Sequence, residues 1–371
     1  MKRKLLMTAS SFSHICSFHL PYLSEFKELG WEVHVACGGK YREIPCADRQ
    51  FQLPLEKRYL SAANGKTLAV LHGLLREQQY DLVIVHTSLA SFFTRMAEIG
   101  VKPHPRTINV VHGYLFDADT NFIKAVVLKA AEFLASPETD LILTMNCFDT
   151  RWAEKAFPGK KVRFIPGMGV DGEKYSQRGK ALGRDSSNET FTLVYPAEFS
   201  KRKNQAMLIR ALPLLPERVR LVLPGEGALL ENCKALAKEL GVEARVVFPG
   251  FVTDVGGLLA QADLAVSSSR SEGLPFNLME AMLSGLPVVA SRVKGNEDLV
   301  LDGETGFLFP YDDETAFASA VKPLLDHAER REKMGAAGRS RAEEFCLSRV
   351  LPVVMDAYLS CDPSNLSCES G

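Results

Sequence analysis

This chain of 371 residues lacks three features that would narrow its function at once. Its eight cysteines include no Cys-x-x-Cys pair, so neither a structural zinc site nor a disulfide framework is indicated. No apolar run approaches the ~20 residues of a membrane span, and the longest, such as Leu141–Met145, have the length of a strand. Lys and Arg total 44 against 45 for Asp and Glu, so no positive field points to nucleic acid as a partner.

The start of the chain is basic, Met1–Lys4, but it is not read as a signal peptide. The apolar stretch that follows, Leu5–Ala9, is too short, and His14 and His19 come soon after it. These features predict a cytoplasmic protein.

What is present is the composition of a soluble globular protein, with 46% hydrophobic and 24% charged residues. The length exceeds one ordinary core and suits about two domains of roughly 150–200 residues.

The first 166 residues alternate short β-branched runs with helical patterns. The predicted strands are Leu5–Ala9, Glu32–Cys37, Leu82–His86, Thr107–Val111, Leu141–Met145 and Val162–Ile165. The predicted helices are Phe18–Glu28, Thr67–Glu77, Leu89–Ile99, Phe122–Leu134 and Asn146–Ala156. This alternation predicts a parallel sheet with helices on both faces.

A polar run with the composition of a linker, Ser176–Thr190, interrupts the rhythm, which then restarts. The second set of predicted strands is Thr192–Tyr195, Arg220–Leu223, Val246–Phe248, Leu264–Ser267 and Val288–Ser291. The sequence therefore predicts two doubly wound α/β domains, whose strand ends we expect to face a shared cleft.

One glycine motif, Gly167–Gly172, formally matches the dinucleotide-binding pattern Gly-x-Gly-x-x-Gly and raises the alternative of a nicotinamide-dependent oxidoreductase. That pattern needs a long helix directly after the glycines and an acid about 20 residues on. The polar linker follows instead, so a turn is expected.

Metal-binding patterns are weak. Asp117 and Asp119 are paired acids in a polar loop, which chance produces easily, and His14 and His19 have no third ligand in the sequence. No metal and no cofactor are expected.

The informative stretch runs from Ser267 to Met282, where a Ser- and Gly-rich loop turns into a helix. Such a turn presents backbone N–H groups to phosphate or sugar oxygens. Glu272 lies in the loop and Glu280 inside the helix. Apolar neighbours surround Glu280, and a buried acid needs partners such as the vicinal hydroxyls of a ribose.

Two glutamates separated by seven residues, in the setting Ser271–Met282, resemble the family 4 retaining glycosyltransferases of GT-B fold. The likeness covers nearly the whole chain. Consistent motifs are His112-Gly113, Ile165–Asp171, Lys203–Gln205, Gly225-Glu226-Gly227, Asn296 and the Gly303–Phe307 turn. The opening, through Ser13-His14, Phe18–Leu23 and Glu32–Ala36, is similar to bacterial members that build capsular and extracellular polysaccharide.

The resemblance implies an acceptor-binding domain over residues 1–170, with a C-terminal helix, 350–371, packing back onto it. It implies a nucleotide-sugar-binding domain over residues 171–349. These limits are expectations from the family.

The resemblance also implies roles for residues of the second domain. Glu280 would hold the donor's ribose, and Lys203 would neutralise the diphosphate as the sugar leaves. Glu272 would hold the transferred sugar together with backbone N–H groups of four residues, Gly273, Leu274, Pro275 and Phe276. The resemblance also implies that Gly225 binds the nucleotide sugar.

One position departs from the family pattern, because Glu198 stands where many members carry an arginine that contacts phosphate. Lys201 or Arg202 could substitute for that arginine. Glu198 could instead orient Lys203 or bind the acceptor.

In the first domain His112 resembles the family's active-site histidine near the reacting sugar. His14, in the first loop, and His86, at a strand end, point to the same cleft. No acid in this domain stands out as a nucleophile, so front-face attack is favoured over a covalent intermediate.

The sequence therefore predicts a retaining transferase that moves a hexose or N-acetylhexosamine from a nucleotide sugar, a UDP-sugar in the first place. The acceptor is expected to be a saccharide or lipid-linked saccharide in cell-surface polysaccharide synthesis. Segments Phe122–Ala131 and Leu89–Arg95 mix apolar residues with bases, which fits peripheral contact with the inner face of the plasma membrane and ordinary core packing equally well. Two alternatives remain open: a sugar-nucleotide epimerase of the same fold and a catalytically silent partner subunit.

Overall fold

A computed structural model of the protein describes residues 2–56, 61–117, 120–176 and 190–361. Most of the predicted linker, residues 177–189, lies outside the described residues, as do Asp119 and the tail beyond Cys361. The chain divides into two compact units. One contains the residues up to Gly169 and those from Ser348 onward, and the other is Val170–Leu347.

The first unit is built on seven parallel strands among its described residues. They are β1 (Lys4–Ala9), β2 (Glu32–Cys37), β3 (Arg49–Gln52), β4 (Leu82–His86), β5 (Arg106–Val111), β6 (Leu141–Thr144) and β7 (Lys161–Phe164). The order across the sheet is β3-β2-β1-β4-β5-β6-β7. The inner strands are buried along almost their whole length, because helices cover both faces of a parallel sheet.

The helices of this unit connect successive strands. They are α1 (Phe12–Phe18), α2 (Leu20–Glu28), α3 (Ala62–Gln78), α4 (Ser88–Glu98), α5 (Phe122–Ala135) and α6 (Cys147–Ala156). The predicted single helix Phe18–Glu28 is wrong in its start, since the chain forms two helices that meet at His19. Ser11 caps α1, and Pro21 stands in the first turn of α2, where its missing N–H costs nothing.

The second unit contains six parallel strands among its described residues. They are β8 (Phe191–Val194), β9 (Val219–Val222), β10 (Val246–Val247), β11 (Leu264–Ser267), β12 (Val288–Ser291) and β13 (Gly306–Phe309). Their order is β10-β9-β8-β11-β12-β13.

The remaining helices are α7 (Gly172–Ser176), α8 (Gln205–Ala211), α9 (Leu230–Glu239), α10 (Val255–Ala260), α11 (Phe276–Leu283), α12 (Asn296–Leu299), α13 (Glu314–Leu325), α14 (Ala328–Ala342) and α15 (Leu347–Leu359). All belong to the second unit except α15, which lies in the first unit from Ser348 onward. After the Gly167–Gly172 motif the structure describes α7 only as far as Ser176, where the described residues end until residue 190. Both Gly167 and Gly169 have positive φ, which a turn requires.

Two strands, β3 and β13, are absent from the sequence prediction, and both are edge strands. Both are only partly buried. Strand β3 lacks the continuous apolar run that marks an inner strand, whereas β13 is apolar but overlaps the stretch Gly303–Phe307 that was predicted as a turn. The predicted turn Gly303–Phe307 is correct at Gly303, which has φ +82°, and wrong at Phe307, which lies inside β13.

In each sheet the strand order reverses at one position. The reversal falls between β1 and β4 in the first unit and between β8 and β11 in the second. Open α/β sheets bind ligands beside the carboxyl ends of strands at such a reversal. We call these positions the first and second switch points.

Candidate functional site

The second switch point is formed by two loops that are hydrogen-bonded to each other. One follows β8 and leads to Lys203, and the other follows β11 and leads to Glu272. The Ser268 hydroxyl donates to the carbonyls of Lys203 and Asn204, at 2.9 Å each. The Arg270 N–H donates to the Arg202 carbonyl at 2.8 Å. The fold thereby brings together side chains that are about 70 positions apart in the sequence.

Glu272 is the centre of this site. Its Oε1 accepts hydrogen bonds from the Lys203 ammonium and the Ser269 hydroxyl, both at 2.5 Å, and its Oε2 accepts from Arg202 Nη1 at 2.7 Å. Burial raises the pKa of Glu272, but the Lys203 and Arg202 charges and the hydrogen bonds outweigh it and hold the pKa below its ordinary value. The carboxylate is therefore ionised at neutral pH.

The two cations beside Glu272 differ in exposure. The Lys203 side chain is 12% exposed and that of Arg202 is 49% exposed. Burial lowers the pKa of Lys203 more than Glu272 raises it. With one carboxylate and two cations, the group carries a net charge of +1 when all three are ionised, which suits an anionic ligand.

Buried hydroxyls support the site from below. The Tyr195 hydroxyl lies 2.7 Å from Ser269 Oγ, and Ser291 Oγ donates to the Ser269 carbonyl at 2.5 Å. The hydrogen bonds from Tyr195 and Ser291 hold Ser269 in place, and Ser269 in turn donates to Glu272.

Two glycines allow neighbouring loops to approach. At Gly295, with φ +81°, a Cβ would lie 2.8 Å from the Glu272 carbonyl oxygen. At Gly225, with φ +143°, a Cβ would lie 2.1 Å from the Ala197 carbonyl oxygen. The Gly225 N–H donates to the Gly250 carbonyl at 2.8 Å. Gly225 therefore packs directly against the loop after β8 while it is hydrogen-bonded to Gly250.

The loop between Glu272 and α11 contains the four residues predicted as backbone donors. Pro275 stands at the N-cap of α11 and provides no side-chain cap; as a proline it has no N–H, so it is excluded as a donor. Leu274 is buried, and Gly273 and Phe276 are half-buried beside it. The start of α11 thus follows directly on Glu272.

Glu280 lies about one turn along α11 from Phe276 and is half-buried. Its Oε1 accepts a hydrogen bond from the Tyr175 hydroxyl at 2.7 Å. Burial raises the pKa of Glu280, while that bond and the charge of Lys174 oppose the rise. The sequence analysis missed Tyr175, whose only signal is an aromatic residue with a polar end shortly after the Gly167–Gly172 turn.

Glu198 is exposed, and its carbonyl accepts a hydrogen bond from Gln205 Nε2 at 2.9 Å. The second cation beside Lys203 is Arg202, one of the two substitutes named for the family's missing arginine.

The first switch point carries four histidines instead of a charged pair. His86 ends β4, His112 directly follows β5, His14 lies in α1 and His19 joins α1 to α2. Ser10, after β1, donates its N–H to Thr87 Oγ1 at 2.9 Å, which ties the ends of β1 and β4 together. The predicted trio of His14, His86 and His112 is therefore assembled, and His19 joins it.

The four imidazoles are packed against one another. His86 Nδ1 and His112 Nε2 lie 2.9 Å apart, and the ring centroids of His19 and His86 are 3.9 Å apart. Burial lowers the pKa of His14 to about 4. Burial, reinforced by the neighbouring histidines, also holds the pKa of His19, His86 and His112 well below the ordinary value. The cluster is neutral at physiological pH.

Two doubly wound parallel α/β units in one chain are the architecture of the GT-B fold. Residues 183–341 match the family described as glycosyl transferases group 1. Over 369 residues, 96% of this chain and 97% of the other, the chain is 33% identical to a Bacillus subtilis (strain 168) protein named "Putative glycosyltransferase EpsD". It belongs to the group 1 glycosyltransferases.

Two further similarities agree with this family. The chain is 28% identical over 297 residues, 75% of each chain, to an Escherichia coli UDP-Gal:alpha-D-GlcNAc-diphosphoundecaprenol alpha-1,3-galactosyltransferase. The crystal structure of Anabaena HepE in complex with UDP and glucose superimposes with a TM-score of 0.76 at 20% identity, covering 96% of this chain and all of the other. At that identity the superposition shows a shared fold.

Proposed function

We propose that the protein is a retaining family 4 glycosyltransferase that moves a hexose or N-acetylhexosamine from a UDP-sugar to a saccharide or lipid-linked saccharide. The observation that carries the proposal is the Glu272, Lys203 and Arg202 group at the second switch point. A UDP donor is supported by the UDP-galactose in the name of the Escherichia coli relative and by the UDP bound to HepE.

In this proposal the two cations stabilise the leaving nucleoside diphosphate, on which negative charge develops as the sugar departs. Lys203 is the stronger contributor because it is largely shielded from water, whereas Arg202 is half exposed. Neither role needs a metal ion. This assignment gives the second unit the donor and its departing phosphate.

Glu272 positions the transferred sugar. A carboxylate offers about four acceptor positions, and three are occupied by Lys203, Arg202 and Ser269. About one position is left for a sugar hydroxyl. A carboxylate held this firmly orients a substrate, and its lowered pKa suits an ionised acceptor of hydrogen bonds better than a proton donor.

Glu280 binds the ribose of the donor. Tyr175 occupies one of its acceptor positions, which leaves others for the two vicinal ribose hydroxyls. His112 is assigned to the side of the reacting sugar, and His14 and His86 to the acceptor side. We favour front-face attack, in which the departing phosphate accepts the acceptor's proton.

Helix α5 is proposed to contact a membrane that carries a lipid-linked acceptor, as named for the Escherichia coli relative. Its outward residues are large, apolar and exposed: Phe122 79%, Ile123 73%, Val126 49%, Val127 61%, Phe133 50% and Leu134 59%. Their spacing places them along one side of a helix about 21 Å long at about 1.5 Å per residue.

The inner face of α5 packs against the rest of the first unit. The exposed apolar face is therefore a second face of the helix, distinct from the one that contacts the core. Glu132 accepts a hydrogen bond from the buried Arg95 at 2.9 Å, and Ala135 is fully buried. Exposed Lys124 adds positive charge beside the apolar side, which suits anionic lipid. No helix among the described residues is long and apolar enough to cross a bilayer. A cytoplasmic enzyme at the inner face of the plasma membrane is the proposed location.

The test is a thermal-shift screen of the protein against UDP-, GDP-, dTDP- and ADP-sugars in the presence of a chelator. A ligand that binds only the folded protein raises the melting temperature. We expect a rise with a UDP-sugar that is lost in Glu280→Ala. No rise with any of the four would contradict the proposal.

The product then separates the alternatives. With a lipid-linked or free saccharide acceptor, we expect a glycoside whose anomeric configuration, read by NMR, equals that of the donor. Formation of an epimer from the UDP-sugar alone would identify an epimerase. Donor binding without transfer to any acceptor of a broad panel would identify a silent subunit.

A further inference from the structure

The four histidines of the first switch point carry more polar atoms than they can satisfy. His14 Nε2, both ring nitrogens of His19 and His86 Nε2 are buried and have no hydrogen-bond partner. Leaving a buried polar atom unpaired costs about 1–3 kcal/mol, so a group of them at one place calls for an explanation. A bound cation would supply the missing partner for several of them at once.

The geometry is close to that of a coordination site. One nitrogen from each of His14, His19, His86 and His112 lies within 4.8 Å of each of the others. Zn–N bonds of roughly 2.0–2.1 Å place tetrahedral ligand nitrogens about 3.3–3.4 Å apart. Metal binding would require the side chains to rotate so that the nitrogens reach this spacing, and would require release of the His86 and His112 hydrogen bond.

The chemistry of the donors selects the kind of cation. Neutral imidazoles suit Zn²⁺, Cu²⁺, Ni²⁺ and Fe²⁺, whereas Mg²⁺ and Ca²⁺ prefer oxygen ligands. A histidine binds a metal ion through the lone pair of a neutral imidazole nitrogen.

We propose that His14, His19, His86 and His112 bind one divalent transition-metal ion, with Zn²⁺ as the first choice. The sequence offers His14 and His19 no third ligand, and no metal is expected from it; the fold supplies His86 and His112. His19 and His86 are fully buried, while His14 and His112 are half-buried. The ion is therefore reached from the side of His14 and His112. If all four ligands do not bind together, a position on that side is open to an anionic or hydroxyl group.

A second group of possible ligands among the described residues provides the matched control. It consists of Glu98, His104 and Glu138. His104 is 41% exposed and already bonded to Glu138, and Glu98 accepts a hydrogen bond from Thr107 at 2.8 Å. Glu98 Oε1 lacks a hydrogen-bond partner, but Glu98 Oε2 and His104 Nε2 are both hydrogen-bonded, so we expect this group to bind Zn²⁺ more weakly than the four histidines.

The experiment uses the full chain without a polyhistidine tag, since a tag would bind the same ions. The protein is treated with a chelator, dialysed, and titrated with Zn²⁺ by calorimetry and with Co²⁺ by visible absorption. We expect one ion per chain and the ligand-field bands of tetrahedral Co²⁺. Losing a hydrogen-bond partner of a metal ligand lowers metal affinity by roughly 10–100-fold. His14→Gln removes a ligand itself, so it should weaken binding by more than that. His104→Gln should leave binding unchanged.

His14 is half-buried, so its replacement should disturb the fold less than replacement of the fully buried His19. The His19→Gln variant tests the interior of the cluster. Circular dichroism of both variants shows whether the fold is retained. Failure of the untagged protein to bind Zn²⁺ or Co²⁺ would overturn the proposal, as would binding that persists in the folded His14→Gln and His19→Gln double variant or disappears in His104→Gln. None of these readouts depends on sugar transfer, so the metal site and the proposed function fail separately.

Discussion

The two switch points occupy equivalent places in two similar sheets, but one carries charged side chains and the other carries neutral ones. In the second unit a buried carboxylate is paired with two cations and a hydroxyl, so the carboxylate's charge is compensated and a net positive charge remains. In the first unit four neutral imidazoles meet and several of their nitrogens have no partner. The same topology therefore places functional side chains without fixing what they are.

The difference indicates a division of labour. A site with fixed, compensated charges is preorganised, and such sites stabilise charge that develops during a reaction. A site with unpaired neutral donors is incomplete until something binds to it. We therefore assign the departing phosphate to the second unit and expect the first unit to bind a partner that its imidazoles can contact directly.

The largest expected effect comes from removing the shielded cation of the charged site. Lys203→Ala should lower kcat by on the order of 10²–10³, the usual cost of losing one preorganised charge donor. Arg202→Ala, which removes the exposed cation, should cost about tenfold or less, because water screens it. Steady-state kinetics with a UDP-sugar give both values. Equal losses in the two variants would show that burial does not distinguish the cations.

The next effect concerns donor affinity. Glu280→Gln should weaken nucleotide binding by roughly 10–150-fold, because hydrogen bonds to a charged group contribute about 1.5–3 kcal/mol. Tyr175→Phe removes only the bond that Tyr175 donates to Glu280, so its effect should be clearly smaller. Calorimetric titration with UDP measures both. Unchanged affinity in Glu280→Gln would remove Glu280 from the ribose site.

A third prediction compares α5 with an isolated apolar residue elsewhere in the same unit. Ile123→Glu combined with Val127→Glu should abolish most binding to vesicles containing anionic lipid. Val70→Glu changes an exposed apolar residue of α3, 44% exposed, and should leave vesicle binding unchanged. Cosedimentation of the purified variants tests this, and equal losses in α5 and α3 variants would argue against a defined membrane face.

The smallest effect is a pH dependence. The pKa of Glu280 is raised above 4.5 in the folded protein, so its carboxylate gains a proton as the pH falls through that raised value. Donor affinity should therefore fall severalfold on acidification from neutral pH, and this part of the dependence should be absent in Glu280→Gln. Affinity profiles that are parallel in the two proteins would exclude Glu280 as the titrating group.

The sequence allowed prediction of the inner strands, because buried strands of a parallel sheet are continuous apolar runs, and of α2 to α6 in the first unit. It missed β3, which lacks such a run, and β13, which overlaps the stretch predicted as a turn. Glu272, Lys203 and Glu280 could be named from the local pattern and the family resemblance. Their contacts could not, since the Tyr175 and Glu280 pair spans 105 positions and depends on packing.

The histidine cluster of the first switch point could not be predicted from the local sequence either. His14 and His19 are visible as a pair in the sequence, but nothing local indicates that β4 and β5 end beside them. Only the strand order, with β1 next to β4 and β4 next to β5, brings His86 and His112 to the same place.

The central claim is that the second unit holds the donor nucleotide. Hydrogen–deuterium exchange of the protein with and without UDP tests it most directly, because it locates protection along the chain. We expect slower exchange in residues 198–205 and 268–284, around the Glu272 group and α11, with these segments protected more than any in the first unit. Protection confined to the first unit, or none at UDP concentrations that raise the melting temperature, would contradict the account.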